Sequence, residues 1–166
     1  QHRVYTNGFL FQEKEGERRL NMDAIAQYPE IEVCDYQNIK NGKDITLENG
    51  KTIANTELTF KPHRPQSYAY CSDTVYLEDL ATEIRGTRVI YHESTFLKIN
   101  EELAAKTMHA TAYQAGLVAK NAQAEALILG HYSSRYPDVN MFKQEAQEVF
   151  KNVFLAEDGK KFVFEN

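Results

Sequence analysis

The chain has 166 residues, 42% of them hydrophobic, which is enough to bury the core of one domain. With 24 acidic against 19 basic side chains the net charge is −5, excluding a global basic field for non-specific nucleic-acid binding and confining any anion site to a local cluster. Cys34 and Cys71 are too few for a disulfide framework and lack metal-type spacing, no leader opens the chain, and no apolar run nears the roughly 18 residues of a membrane span, so a soluble protein in the reducing cytoplasm, with structural cysteines, is expected.

The first residue is Gln1, and "HRVYTNGFLFQE" follows at once as strand-like sequence, so the chain is expected to begin inside a larger domain. Apolar residues alternate from Val4 to Phe11, with a bulge or close backbone approach expected at Gly8. The charged run "QEKEGERR" reads as a solvated turn, and residues 20–43 as a short helix near 22–28 followed by a loop or arm. "DITLENGKTIAN" predicts a hairpin about Asn49-Gly50, and the prolines of "KPHRPQ" mark a linker.

From residue 67 strands and helices alternate. "SYAYCSD" is a strand, and Leu77, Leu80, Ala81 and Ile84 follow at helical spacing up to Gly86. "TRVIYHES" is a second strand, and Asn100 is expected to cap a helix running to about Met108. Ala112, Ala115, Ala119 and Ala122 form a stripe of small side chains that lets the next helix lie close against a sheet. "EALILG" is apolar enough to be a strand covered on both faces. A helix with Phe142, Ala146 and Val149 inward and a hairpin about Asp158-Gly159 complete an α/β layered arrangement.

In open α/β sheets ligand sites gather beyond the carboxyl ends of strands, where loops diverge. Asp73, then His92 and Glu93, then His131 stand at three such ends, and His109 precedes the alanine-striped helix. Each alone has a plain structural explanation, as a helix-capping aspartate or a histidine satisfied at a core edge. Together they suit metal-assisted hydrolysis, because carboxylate and imidazole are zinc ligands and an aspartate can bridge two ions. His109 at a helix N-terminus has its charged form disfavoured, yet beside an anionic substrate it regains a proton and can act as general acid. Ser133, Ser134 and Arg135 offer hydroxyls and a planar fork suited to phosphate oxygens, although a polar turn has the same composition.

These residues resemble the ribonuclease Z family, metallo-β-lactamase-fold endonucleases that trim the 3′ trailer from precursor tRNA. The carriers are "QHRVYTNGFLFQE", "YCSDT", "YHESTF", "MHATAYQAG" and "LILGHYSSRY", five motifs in the family's order. The resemblance implies an α/β fold that is the C-terminal half of a metallo-β-lactamase αββα sandwich. The whole of residues 1–166 is then one portion of a single domain, with a short arm-like insertion at about 20–45. It further implies zinc held by His2, Asp73 and His131, with Asp73 bridging. His109 and Asp73 are the catalytic pair, Ser133, Ser134 and Arg135 meet the phosphate, and Glu93 and Thr95 support the site from behind. The implied partners are precursor tRNA and a second copy in a homodimer, with no membrane.

The departures carry equal information. The family's His-x-His-x-Asp-His motif is absent, and neither His63 nor His92 replaces it by spacing, so this chain alone is expected to hold zinc weakly and not to cleave. Ser72 stands where the family has glycine and Ala110 where it has serine. Residues 29–43, "PEIEVCDYQNIKNGK", lack the Gly-Pro pair of the family's tRNA-binding arm. Two other readings remain open: a small-molecule phosphodiesterase of the same fold, and a non-catalytic structural or subunit-contact fragment.

Overall fold

The computed structural model describes residues 1–164, which divide into two compact units: residues 1–12 with 66–164, and residues 13–65. In chain order the elements begin with β1 (Phe9–Gln12), β2 (Arg19–Leu20), α1 (Met22–Ile25), α2 (Tyr36–Lys40), β3 (Ile45–Thr46), β4 (Thr52–Ile53), α3 (Asn55–Leu58) and β5 (Thr59–Phe60). They continue with β6 (Ser67–Cys71), α4 (Leu80–Glu83), β7 (Val89–Glu93), α5 (Glu101–Thr107), α6 (Ala112–Asn121), β8 (Ala126–Gly130), α7 (Asn140–Gln147) and β9 (Val153–Leu155).

The larger unit is built on one sheet of order β1-β6-β7-β8-β9, in which β1 runs antiparallel and the others are mutually parallel. Because side chains alternate along a strand, each strand serves two faces. Ala69, Cys71, Ile90, Leu127 and Leu129 join the alanine stripe of α6 and Phe142 and Ala146 of α7 in the main core. Val89, Ala126 and Ile128 point the other way, under Tyr68, Tyr91, Phe154, Phe162 and Phe164. All four striped alanines are completely buried, as their spacing predicts. On another side of α6 a Cβ at Gly116 would come within 2.9 Å of the Ala146 carbonyl, so glycine is what lets α6 and α7 touch. Phe142 is fully buried between Tyr132 and Tyr136, and truncating such a ring costs about 3–5 kcal/mol.

Several boundaries differ from expectation for identifiable reasons. The first strand is only Phe9–Gln12, because pairing with β6 begins at Phe9; Val4 and Tyr5 are exposed. At Gly8 the expected close approach is present, a Cβ there standing 3.2 Å from the Tyr70 carbonyl. The helix expected over 77–86 contracts to α4, and Gly86 at φ +77° turns the chain. Asn100 does not cap α5 with its side chain, whose Oδ1 instead accepts the Tyr136 hydroxyl at 2.6 Å. Asp158-Gly159 makes a turn, closed by Lys160 N donating to Glu157 at 3.0 Å, and among the described residues no second strand follows to form a hairpin.

The 13–65 unit has its own small core of Ile25, Ile31, Ile39, Leu47, Ile53 and Leu58. Asn55 organises it, its side-chain amide donating to the carbonyls of Ile39 and Lys43 at 2.5 and 3.2 Å. The helix expected near 22–28 is α1, capped by the Asn21 side chain. Asn49-Gly50 lies in a loop over 47–51 between β3 and β4, a longer connection than the expected two-residue turn. Cys34 is exposed, whereas Cys71 is buried in the main core, where burial pushes its thiol up to about 11.

His92 points into the main-core side of β7. It is fully buried, its Nδ1 donates to the Glu93 carbonyl at 2.7 Å, and its Nε2 has no hydrogen-bond partner among the described residues. Burial lowers its pKa below the ordinary 6.5, so it is neutral when folded and takes up a proton when unfolded. The contribution is therefore fully present above the unfolded pKa and is lost as pH falls below it. Urea titrations from pH 7.5 down to 5 should show stability falling below about pH 6.5, at a slope approaching about 1.4 kcal/mol per pH unit from this group. His92→Leu should flatten that slope relative to the parent protein; an unchanged slope would place the titrating group elsewhere.

Candidate metal and phosphodiester site

The site forms where β6, β7 and β8 end. Asp73 lies two residues beyond β6, Glu93 is the last residue of β7, and His131 follows β8 directly. The register pairs Cys71 with His92 and Glu93 with Gly130, which brings those ends level. Ser94 N donates to the Gly130 carbonyl at 2.8 Å and holds the β7 and β8 exits together. The fourth contributor, His109, is fixed from both sides: its own N donates to the Ala104 carbonyl at 2.9 Å, and Phe96 N donates to the Ala110 carbonyl at 3.2 Å.

Three non-glycine residues here occupy left-handed backbone: Asp73 (φ 49°), Met108 (φ 60°) and His131 (φ 59°). Such conformations cost of order 1 kcal/mol or more and persist where the surroundings impose them. Asp73 is held by the Thr6 hydroxyl donating to its carbonyl at 3.2 Å. The Met108 carbonyl accepts from His2 Nδ1 at 2.8 Å. The strained backbone aims side chains that an extended continuation of the strands would direct elsewhere.

One aspartate and two imidazoles converge. Asp73, His109 and His131 each offer a ligand atom, and these atoms lie within 4.8 Å of one another. His131 Nε2 is 3.2 Å from Asp73 Oδ1. That contact is an ion-pair distance without hydrogen-bond geometry, for Asp73 Oδ1 is buried and has no hydrogen-bond partner among the described residues. An orphaned buried carboxylate oxygen beside two imidazoles is the donor set of a divalent metal such as zinc. The residues present therefore fit a metal, although three donors are fewer than a closed site needs.

Behind these groups lies Glu93, whose side chain is 0% exposed. Its Oε1 accepts from Thr74 N at 3.0 Å and from His109 Nδ1 at 2.8 Å. Its Oε2 accepts from Thr95 N at 3.0 Å and from the Thr95 hydroxyl at 2.8 Å. Four donors satisfy a buried carboxylate, and the one at His109 fixes the ring's orientation. Thr95 Oγ1 is also 2.7 Å from His131 Nδ1 and 3.2 Å from His109 Nδ1.

The structure brings most of the sequence-nominated residues together. Asp73, His109, His131, Glu93 and Thr95 form one connected group. The His2 ring packs against the His109 ring, centroids 4.7 Å apart, but His2 stands outside the three-donor cluster with its Nδ1 engaged at Met108. Ser133 N donates to the Thr95 carbonyl at 3.1 Å, so the serine turn is anchored to the same loop. Arg135 lays its guanidinium 5.2 Å from the centre of the Phe96 ring and donates from Nε to the Ser133 hydroxyl at 3.3 Å, while Ser134 is exposed. Of the strand-end pair His92 and Glu93, only Glu93 faces this group; strand alternation sends His92 into the core. Tyr91, on the Glu93 face and stacked on Tyr70 at 4.9 Å, carries no motif of its own in the sequence; burial pushes its hydroxyl up to about 12, and the nearby Asp73 and Glu93 charges act in the same direction.

No protein-family model matches the chain. Among curated proteins, a ribonuclease Z of Phocaeicola vulgatus is 42% identical over 165 residues, covering 99% of this chain and 53% of the relative. A ribonuclease Z of Cytophaga hutchinsonii is 42% identical over 163 residues, covering 98% of this chain and 51% of the relative. The chain thus spans about half the length of the curated relatives it matches. Among solved structures, the metallo-β-lactamase fold protein YhfI from Bacillus subtilis aligns over 60% of this chain and 40% of its own, with TM-score 0.55 and 25% identity. A long form RNase Z from yeast aligns over 58% of this chain and 13% of its own, with TM-score 0.51 and 28% identity. Both alignments bear out the expected fold, a mixed α/β metallo-β-lactamase layer with a parallel sheet. Near-complete coverage of this chain by about half of each relative, together with that fold, places the chain in the ribonuclease Z family as the counterpart of its C-terminal half.

Proposed function

We propose that this chain is the C-terminal half of a zinc-dependent endoribonuclease that removes the 3′ trailer from precursor tRNA. The observation that carries the reading is the buried, unpartnered Asp73 Oδ1 beside His131 and His109, at the strand ends of a family fold whose relatives are named for RNA cleavage. Zinc, when bound, supplies Lewis acidity toward the phosphate and makes water nucleophilic at neutral pH. Asp73 and His131 are the ligands this chain offers most directly, with His2 as a third, and the remaining ligands come from the portion matched by the other half of the relatives. Alone, three ligands hold zinc weakly, and the isolated chain does not cleave.

The protein residues then have separable duties. His109, oriented by Glu93, delivers a proton to the departing 3′ oxygen. Arg135 and the Ser133 and Ser134 hydroxyls hold the phosphate oxygens. Products are a tRNA with a 3′-hydroxyl and a trailer with a 5′-phosphate. The protein works in the cytoplasm as a homodimer. Among the described residues no helix is long and apolar enough to cross a membrane.

The test compares substrates on the full-length protein. kcat/KM for a precursor tRNA with a 3′ trailer should exceed that for a small chromogenic phosphodiester by at least about 100-fold, since remote binding energy lowers the barrier only for the larger substrate. Equal values would favour a small-molecule phosphodiesterase. That alternative draws on the 13–65 segment, which carries more carboxylates than cations and lacks a Gly-Pro pair.

A further inference from the structure

Thr95 Oγ1 stands within hydrogen-bond reach of three groups: Glu93 Oε2 at 2.8 Å, His131 Nδ1 at 2.7 Å and His109 Nδ1 at 3.2 Å. A hydroxyl has one proton to donate, and an ionised carboxylate oxygen can only accept. If that proton goes to Glu93, His131 Nδ1 must itself carry a hydrogen and donate toward Thr95. His109 Nδ1, 2.8 Å from Glu93 Oε1, carries one for the same reason. In the absence of substrate both rings are then left with a bare Nε2.

The opposite arrangement is poorer at both ends. Were Thr95 to donate to His131 Nδ1, its lone pairs would face a carboxylate oxygen at 2.8 Å. The displaced His131 proton would sit on Nε2, 3.2 Å from Asp73 Oδ1, where the angle forms no hydrogen bond. One good contact is lost, and a long, misaligned approach of Nε2–H to Asp73 Oδ1 makes up little of it. We propose that Thr95 is a positioning residue that acts as a tautomer lock: by donating to buried Glu93 and accepting from His131, it keeps the His131 proton on Nδ1 and presents Nε2 to a divalent cation shared with Asp73. The consequence for metal binding rests on the proposed function; the tautomer itself does not.

The experiment uses the full-length protein labelled with nitrogen-15 in its histidines, freed of metal and held at pH 8. Long-range nitrogen–proton correlation spectra, assigned with His131→Gln, report which ring nitrogen carries the hydrogen. Wild type and Thr95→Ser should show His131 with its hydrogen on Nδ1, whereas Thr95→Val should shift it toward Nε2, the form favoured in water. Zinc affinity, measured by competition with a chelator, should fall about 10–100-fold in Thr95→Val and be retained in Thr95→Ser. A wild-type His131 with its hydrogen on Nε2 overturns the proposal, and does so even if the valine variant fails to fold. So does a Thr95→Val protein that keeps both the wild-type tautomer and the wild-type affinity. If the tautomers behave as expected but wild type binds no zinc or leaves precursor tRNA intact, the proposed function fails and the lock stands.

Discussion

Replacing Asp73 by alanine in the full-length protein is expected to abolish zinc retention and RNA cleavage together. Its Oδ1 is buried and, among the described residues, has no hydrogen-bond partner, and it stands 3.2 Å from His131 Nε2. The protein invests left-handed backbone at φ 49° to place it there, with the Thr6 hydroxyl bracing the carbonyl. A metal contributes several kcal/mol of charge stabilisation at a phosphoryl oxygen, so its loss should lower kcat/KM by about three orders of magnitude or more. Metal content by mass spectrometry and single-turnover cleavage of precursor tRNA measure the two losses. Asp73→Ala retaining full zinc occupancy would remove the residue from the metal site. Because the side chain is 37% exposed, the variant should stay folded, which a thermal melt of the metal-free protein checks.

The strand ends were legible because β-strands in such sheets declare themselves. "ALILG" is apolar on both faces, and the alanine stripe of α6 has one structural use, close packing on a sheet. Once those elements are placed, residues at their carboxyl ends become candidates without any knowledge of contacts. The pairing of His92 with Glu93 shows where that reasoning stops short. Adjacent residues on a strand face opposite ways, so only one of the two could join the site, and the two-residue period alone could have excluded the other. The links through Thr95 were beyond the sequence. Its hydroxyl meets side chains 14 and 36 residues away, and such contacts depend on register and on the left-handed turn at His131. The short reach of β1 and the missing final hairpin have a different cause. Alternating apolar residues state which face is buried, but not whether a partner strand extends far enough to pair with them.

His109→Ala makes the sharper division, because it separates holding a metal from moving a proton. His109 Nδ1 is tied to Glu93 Oε1 at 2.8 Å, in the manner of a base held by a buried carboxylate, and its side chain is 17% exposed, within reach of a bound substrate. Removing a general acid typically lowers the chemical step by about 10²- to 10⁴-fold. Single-turnover cleavage of precursor tRNA by the full-length His109→Ala protein should fall in that range while zinc content stays at the parent level. Glu93→Gln should produce a smaller loss in the same direction, since the amide still accepts one hydrogen bond but no longer balances a charged imidazole. The three-donor geometry allows the other outcome a definite meaning. His109 belongs to the same 4.8 Å cluster as Asp73 and His131, so a His109→Ala protein that loses zinc would show the ring to be a ligand, and the proton for the departing 3′ oxygen would have to come from another group.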